Sequence, residues 1–239
     1  MSISSTHLAA IVWDLDGTLI ESAPDLAAAL NALLAENGEK THDTAAVRLM
    51  IGGGVPKLLE RGFRASGTQL EPGRRDSLVP RFMEIYSACA TDSTHLLNGA
   101  REVLEYCTVA GIRQGLCTNK PASVTRKIIA ALEIDHYFAS VIGGDSTAAR
   151  KPDPLPLTTC LDELGIAASR AVMVGDSGAD VGAARAAGVP VLIVSDGYSG
   201  TPAAELGADL VLEDIRDIPE RLVGFATSGK WPFQRQHCL

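Results

Sequence analysis

The feature that most limits what this chain can fold into is a rhythm of short apolar runs, each ending in Asp, Asn, Gly or Ser and each followed by a stretch of helical spacing. The runs are LAAIVWDLD (8–16), IRQGLCTN (112–119), FASVIGGD (138–145), AVMVGDS (171–177) and VPVLIVSDG (189–197). Between and after them, 100–110, 123–132, 155–164 and 180–187 read as helices. Strand and helix in alternation imply a parallel sheet covered on both faces. In such sheets ligands bind beyond the carboxyl ends of the strands, which is where this sequence places its Asp, Asn, Thr, Gly and Ser. The expected fold class is therefore α/β, with a parallel sheet flanked by helices.

One region departs from the rhythm. From about residue 24 to 94 no strand is convincing, and PDLAAALNALLAENG, VPKLLERGFRASG and RRDSLVPRFMEIYSACA read as helices. Asn37-Gly38 and Ser66-Gly67 are natural helix stops. The expected organisation is a core of residues 1–23 and 94–239 with a helical domain, 24–93, inserted after the first strand. The insert holds eight Lys/Arg and nine Asp/Glu of a chain with 21 and 29. It is nearly neutral, and the core carries almost all of the net charge of -8.

That acidity argues against a non-specific nucleic-acid or anionic-membrane binder. Only 5% of residues are aromatic, too few for stacking platforms along a single strand. No apolar stretch approaches the roughly 20 residues of a membrane span, and MSISSTHLAA lacks the pattern of a secretory signal. The five cysteines (89, 107, 117, 160 and 238) are scattered, with no C-x-x-C pair, as expected of reduced thiols in a cytoplasmic protein. The histidines show no metal-ligand spacing, and His42 and His95 read as surface or hinge residues.

Four strand ends carry the chemistry. The first supplies Asp14 and Asp16, then Gly17 for a tight turn. The second supplies Thr118-Asn119-Lys120-Pro121, the third leads to Lys151-Pro152, and the fourth supplies Asp176, Ser177 and Asp180. Clustered carboxylates suit Mg2+, a hard cation that takes oxygen ligands. A lysine, hydroxyls and backbone N–H groups at a helix start suit a phosphate. A carboxylate is also able to attack phosphorus and form an aspartyl phosphate. Asp180 has a simpler reading as a first-turn acid that favours its helix dipole, and Ser177 as an N-cap.

DLDGT, TNK, KP and GDSGAD resemble, in order, the four motifs of the haloacid-dehalogenase-like phosphatases. ESAPDLAAALN, CTNKP, IGGD, KPDPLPL and VGDSGADVGAARAAGVP are similar to the bacterial phosphoglycolate phosphatases within that family. The resemblance implies a Rossmann-like core with a helical cap. It implies Asp14 as nucleophile, Asp16 as general acid and then base, and Lys151 as the neutralising cation. It places Thr118 and Asn119 on the phosphoryl oxygens, Mg2+ on Asp14, Asp176 and the backbone carbonyl of Asp16, and Asp180 in support of the metal shell. The implied activity is Mg2+-dependent hydrolysis of a small phosphomonoester, 2-phosphoglycolate first, with a sugar phosphate or nucleoside monophosphate as alternatives. A non-catalytic binding module on the same fold is the alternative from another class, and the presence of Asp14 and Lys151 speaks against it. A dehalogenase lacks the second aspartate, a β-phosphoglucomutase has a histidine on its first cap helix, and a phosphonate hydrolase needs a cap lysine, for which Lys57 is a weak candidate. Gly53, Lys57, Arg61 and Arg48 are the cap residues expected to bear on specificity. A monomer or homodimer is expected.

The sequence also departs from the family pattern. Trp13 stands where Phe is usual, Glu21 replaces an Asp at the cap hinge, Gly53 stands where Asn is frequent, and LLNGAREVL replaces a Pro-Gly start.

Overall fold

In the computed structural model, residues 8–222 are described; the tail 228–239 and Cys238 fall outside them. The core is a six-stranded, all-parallel sheet with the order β5-β4-β1-β6-β7-β8. Its strands are β1 (Ala10–Trp13), β4 (Arg113–Cys117), β5 (Ser140–Ile142), β6 (Ala171–Gly175), β7 (Val191–Val194) and β8 (Leu210–Leu212). Helices α5 (Ala100–Val109), α6 (Ala122–Ala131), α7 (Leu155–Leu164) and α8 (Gly178–Ala187) cover it. All four residues of β1 and all five of β6 are buried, as a doubly covered parallel sheet requires. β1 and β6 are neighbours in register, Trp13 opposite Val174. Asp14 and Asp176, just past their ends, therefore leave the sheet side by side.

Trp13 is fully buried, and a buried indole N–H needs an acceptor. Gln114, on neighbouring β4, supplies it: Trp13 Nε1 donates to Gln114 Oε1 at 3.0 Å, while Gln114 Nε2 donates to the Leu104 carbonyl at 2.9 Å. The larger ring in place of Phe thus comes with its own hydrogen-bond partner.

The chain leaves and re-enters the core through a two-rung antiparallel ribbon, β2 (Ile20–Glu21) against β3 (His95–Leu96). Between them lie four helices: α1 (Ala23–Glu36), α2 (Thr44–Arg48), α3 (Val55–Ala65) and α4 (Pro72–Cys89). α1 starts with proline in its first turn, where the missing N–H costs nothing. Its Leu26, Leu30, Leu33 and Leu34 are buried with Leu59 and Phe63 of α3 and Phe82 and Tyr86 of α4. Gly62 of α3 makes room for Leu30, whose side chain would lie 2.9 Å from an added Cβ. The Asp25 carboxylate accepts from the Ser93 and Thr94 N–H groups and from Thr94 Oγ1 at 2.8 Å, tying the start of the insert to its end. Three elements go beyond the sequence reading: α2, the β2/β3 ribbon and the edge strand β8. No helix among the described residues is long and apolar enough to cross a membrane.

Candidate active site

The cleft lies at the carboxyl ends of β1, β4 and β6, between the sheet and the insert. Asp14, Asp16, Thr118, Asn119, Lys151 and Asp176 all line it, so the four strand ends read from the sequence do converge. Asp14 is buried. Its Oδ1 is ion-paired with Lys151 Nζ at 2.9 Å. Burial pushes the Asp14 carboxyl up to about 6, with Lys151 opposing the shift and Asp180 and Asp16 adding to it. Asp176 is also displaced well upward, by burial first and then by Asp14 and Asp180.

Lys151 is almost wholly buried and has three partners. Its ammonium donates to Asp180 Oδ1 and to the Cys117 carbonyl, each at 2.6 Å, and pairs with Asp14. Burial works against its charge, but the two carboxylates outweigh burial and hold the ammonium above its ordinary range. Asp180 is fully buried at the third position of α8. Its Oδ2 accepts from Ser177 N–H at 3.0 Å, Ser177 Oγ at 2.7 Å and Asp176 N–H at 3.2 Å. Both of its oxygens are thus engaged within the protein, and Ser177 serves as the N-cap of a capping box.

Gly17 adopts φ +78°, and a Cβ there would sit 2.5 Å from Asp176 Oδ2. Only glycine permits both the turn and the approach of Asp176. The Tyr198 N–H donates to the same Asp176 Oδ2.

Asn119 lines the cleft, but its Nδ2 donates to the Lys151 carbonyl at 2.9 Å. That bond ties two loops together and takes one of the two Nδ2 N–H donors. Thr118 is buried beside it. In the insert, Gly53 lines the cleft while Lys57 and Arg61 do not. Lys57 pairs with Glu60 at 3.0 Å. Arg61 donates to the carbonyls of Met50, Ile51 and Gly52, so it braces the glycine loop from outside. Arg48 bonds Glu21 and the Asp196 carbonyl and lies over the Tyr198 ring. The longer Glu21 at the hinge reaches Arg48 with one oxygen and accepts from Tyr198 Oη with the other.

Lys120 and Tyr86 are among the lining side chains to which the sequence reading gave no role. Lys120, in the second motif, donates to Asp16 Oδ1 at 2.7 Å. Tyr86, on α4, closes the cleft from the insert side. The signal for Lys120 lay in its motif. Tyr86, as one apolar-face position of a helix, gave none.

Three carboxylates, Asp14, Asp176 and Asp180, offer oxygens within 4.8 Å of one another. Buried like charges at that spacing ionise together only with cations among them. The ammonium of Lys151 supplies one positive charge, and the remaining excess suits a divalent ion.

The profile of the haloacid dehalogenase-like hydrolases matches residues 11–194. The chain belongs to this family. It is 41% identical over 224 residues to a phosphoglycolate phosphatase of Caulobacter vibrioides, covering 94% of each chain. It is 42% identical over 224 residues to a phosphoglycolate phosphatase of Rhodospirillum rubrum, covering 92% of each. Among solved structures, a predicted phosphoglycolate phosphatase from Haemophilus somnus superposes with a TM-score of 0.83 at 28% identity, over 92% of this chain and 99% of the other. By family and by these relatives, this haloacid dehalogenase-like protein is an enzyme, a hydrolase of the phosphatase type.

Proposed function

We propose that this hydrolase removes phosphate from a small phosphomonoester, with 2-phosphoglycolate as the first candidate, through an aspartyl-phosphate formed on Asp14. The observation that carries the reading is the placement of Asp14, a buried carboxylate 2.9 Å from a buried ammonium, in one cleft with Asp16, Thr118 and Asp176. The names of the relatives at 41% and 42% identity support the substrate.

In this mechanism an Asp14 oxygen attacks phosphorus, forming a P–O bond as the ester P–O bond breaks. Asp16 gives its proton to the departing ester oxygen. Lys151 keeps Asp14 ionised and neutralises charge on the phosphoryl group, and the Thr118 hydroxyl donates to one of its oxygens. Water then attacks the same phosphorus, Asp16 takes the water's proton, and Asp14 is released with free phosphate. The acidic excess of the cluster fits Mg2+. Both oxygens of Asp180 already have partners, so Asp14, Asp176 and the Asp16 carbonyl are the groups that would hold it, with Asp180 fixing Lys151 and the α8 start. When bound, Mg2+ draws negative charge from the phosphoryl oxygens. Residues 24–93 act as a cap on a core of 1–23 and 94–239.

The test is phosphate release from a panel of 2-phosphoglycolate, sugar phosphates and nucleoside monophosphates, with Mg2+ and then with EDTA. The expected result is metal-dependent turnover led by phosphoglycolate, abolished in Asp14→Asn, whose amide does not attack phosphorus. Turnover surviving in that variant, or none on any ester in the parent, overturns the reading.

A further inference from the structure

The two walls of the cleft differ in chemistry. The core wall is charged. The insert wall is Leu26, Ile51, Val55 and Leu58, the backbone of Gly52, Gly53 and Gly54, and Tyr86. Tyr86 is the one polar side chain that the insert contributes to the described lining. It is fully buried, the Lys120 ammonium lies against its hydroxyl oxygen, and the hydroxyl proton has no acceptor among the described residues. A buried polar group without a partner is costly to keep. A hydroxyl that lines a ligand cleft in that condition has its partner in the ligand.

The surroundings of Tyr86 specify what that partner is. Burial holds the phenol up at about 12, so it keeps its proton and donates. Lys120, itself buried, places its ammonium 5.0 Å from the Tyr86 ring centroid and 2.7 Å from Asp16 Oδ1. Asp16 takes one of its three N–H donors. The N-terminus of the eleven-residue α3 opens on the same cleft through Gly54 and Val55 and adds positive potential. The Tyr86 hydroxyl can both donate and accept, but with the Lys120 ammonium against its oxygen it has its proton left to offer; beside that cation and the helix end, the matching ligand group is an anion. Because Lys120 grips the carboxylate that serves the ester oxygen, the anion belongs close to that oxygen.

We propose that Tyr86, with Lys120 beside it, reads a carboxylate separated from the phosphate ester oxygen by one carbon, and so selects short phosphooxy acids over neutral esters of equal length. This rests on the phosphatase reading above and replaces Lys57 and Arg61 as the residues that recognise the acid.

The test compares kcat/KM for 2-phosphoglycolate and for ethyl phosphate, which carries a methyl group in place of the carboxylate. The parent is expected to favour phosphoglycolate by at least a hundredfold. Tyr86→Phe, which removes one hydroxyl, should lower that ratio about tenfold, the worth of a hydrogen bond to a charged group. Lys120→Gln should lower it further, and taking the ratio cancels any loss common to both substrates. A ratio unchanged within twofold in a Tyr86→Phe protein that melts like the parent overturns the proposal, since packing alone then explains the residue. A parent that hydrolyses both esters equally well also overturns it while leaving the phosphatase reading intact. A parent inactive on every phosphomonoester overturns both.

Discussion

Asp180→Asn separates two roles for the most enclosed acid of the site. Asp180 Oδ1 faces the Lys151 ammonium at 2.6 Å, and Oδ2 faces three donors from Asp176 and Ser177. An asparagine has one acceptor oxygen and one NH2 group. In one amide orientation the NH2 faces an ammonium, and in the other it faces three donors. Neither orientation satisfies the site, and Lys151 loses one of its two counter-charges. Breaking a buried ion pair from one side costs about 3–5 kcal/mol, and the additional opposed donors place this case at the upper end. For a chain of this size that is a fall in Tm of roughly 6–20 °C. Because the partners are all within the protein, the loss should be the same in EDTA and in excess Mg2+. Thermal and urea unfolding under both conditions measure it. A loss below about 1 kcal/mol in EDTA, together with a weakened Mg2+ response, would show that Asp180 works as a metal ligand and refute the reasoning.

Three further outcomes are expected. Asp14 sits above its ordinary 3.8, at about 6, and Asp176 shifts the same way, so the folded metal-free protein holds protons that the unfolded chain has given up. Its stability should fall as pH rises from about 4 through about 6, by on the order of 3 kcal/mol from Asp14 alone, and Mg2+ should remove the fall; urea midpoints in EDTA that rise over that range would contradict this. Gly17→Ala puts a Cβ 2.5 Å from Asp176 Oδ2 at a φ of +78°; it should cost about 1–2 kcal/mol in backbone strain and about a hundredfold in kcat through the displaced carboxylate, and full activity would show that Asp176 has slack. Burial holds the thiols of Cys107 and Cys117 up at about 12 and Cys160 at about 11; peptide mapping after iodoacetamide treatment should find them unmodified in the native protein and alkylated in urea.

The parts legible in the sequence were those where one residue type has one use. Five strands were visible because a parallel strand buried on both faces is a continuous apolar run, and its polar end marks the functional edge. β8 was missed because three residues at a sheet edge, Leu210–Leu212, are too few to make a run. The rungs of β2 and β3 are shorter still. In the core, Asp14, Asp16, Thr118, Lys151 and Asp176 were found by motif and do share a cleft. The insert misled because cations were sought, and a helix disposes of its cations locally: Lys57 goes to Glu60, and Arg61 to three carbonyls. The polar contribution of the insert to the lining is a tyrosine whose spacing is that of any core aromatic, 70 residues after Asp16 and 32 before Thr118. Only the packing of α4 against α1 and α3 brings its hydroxyl to the cleft.

The ribbon of β2 and β3 has a consequence for how such an enzyme varies. Glu21 and His95 are opposite residues of one ladder, about 5 Å apart, and Asp25 stitches Ser93 and Thr94 to the same place. Both passages of the chain between insert and core run through that one place. A lineage can lengthen the insert, redraw its inner wall or exchange it whole without shifting a strand of the core, so substrate range is free to drift while the phosphate-handling residues stay where they are.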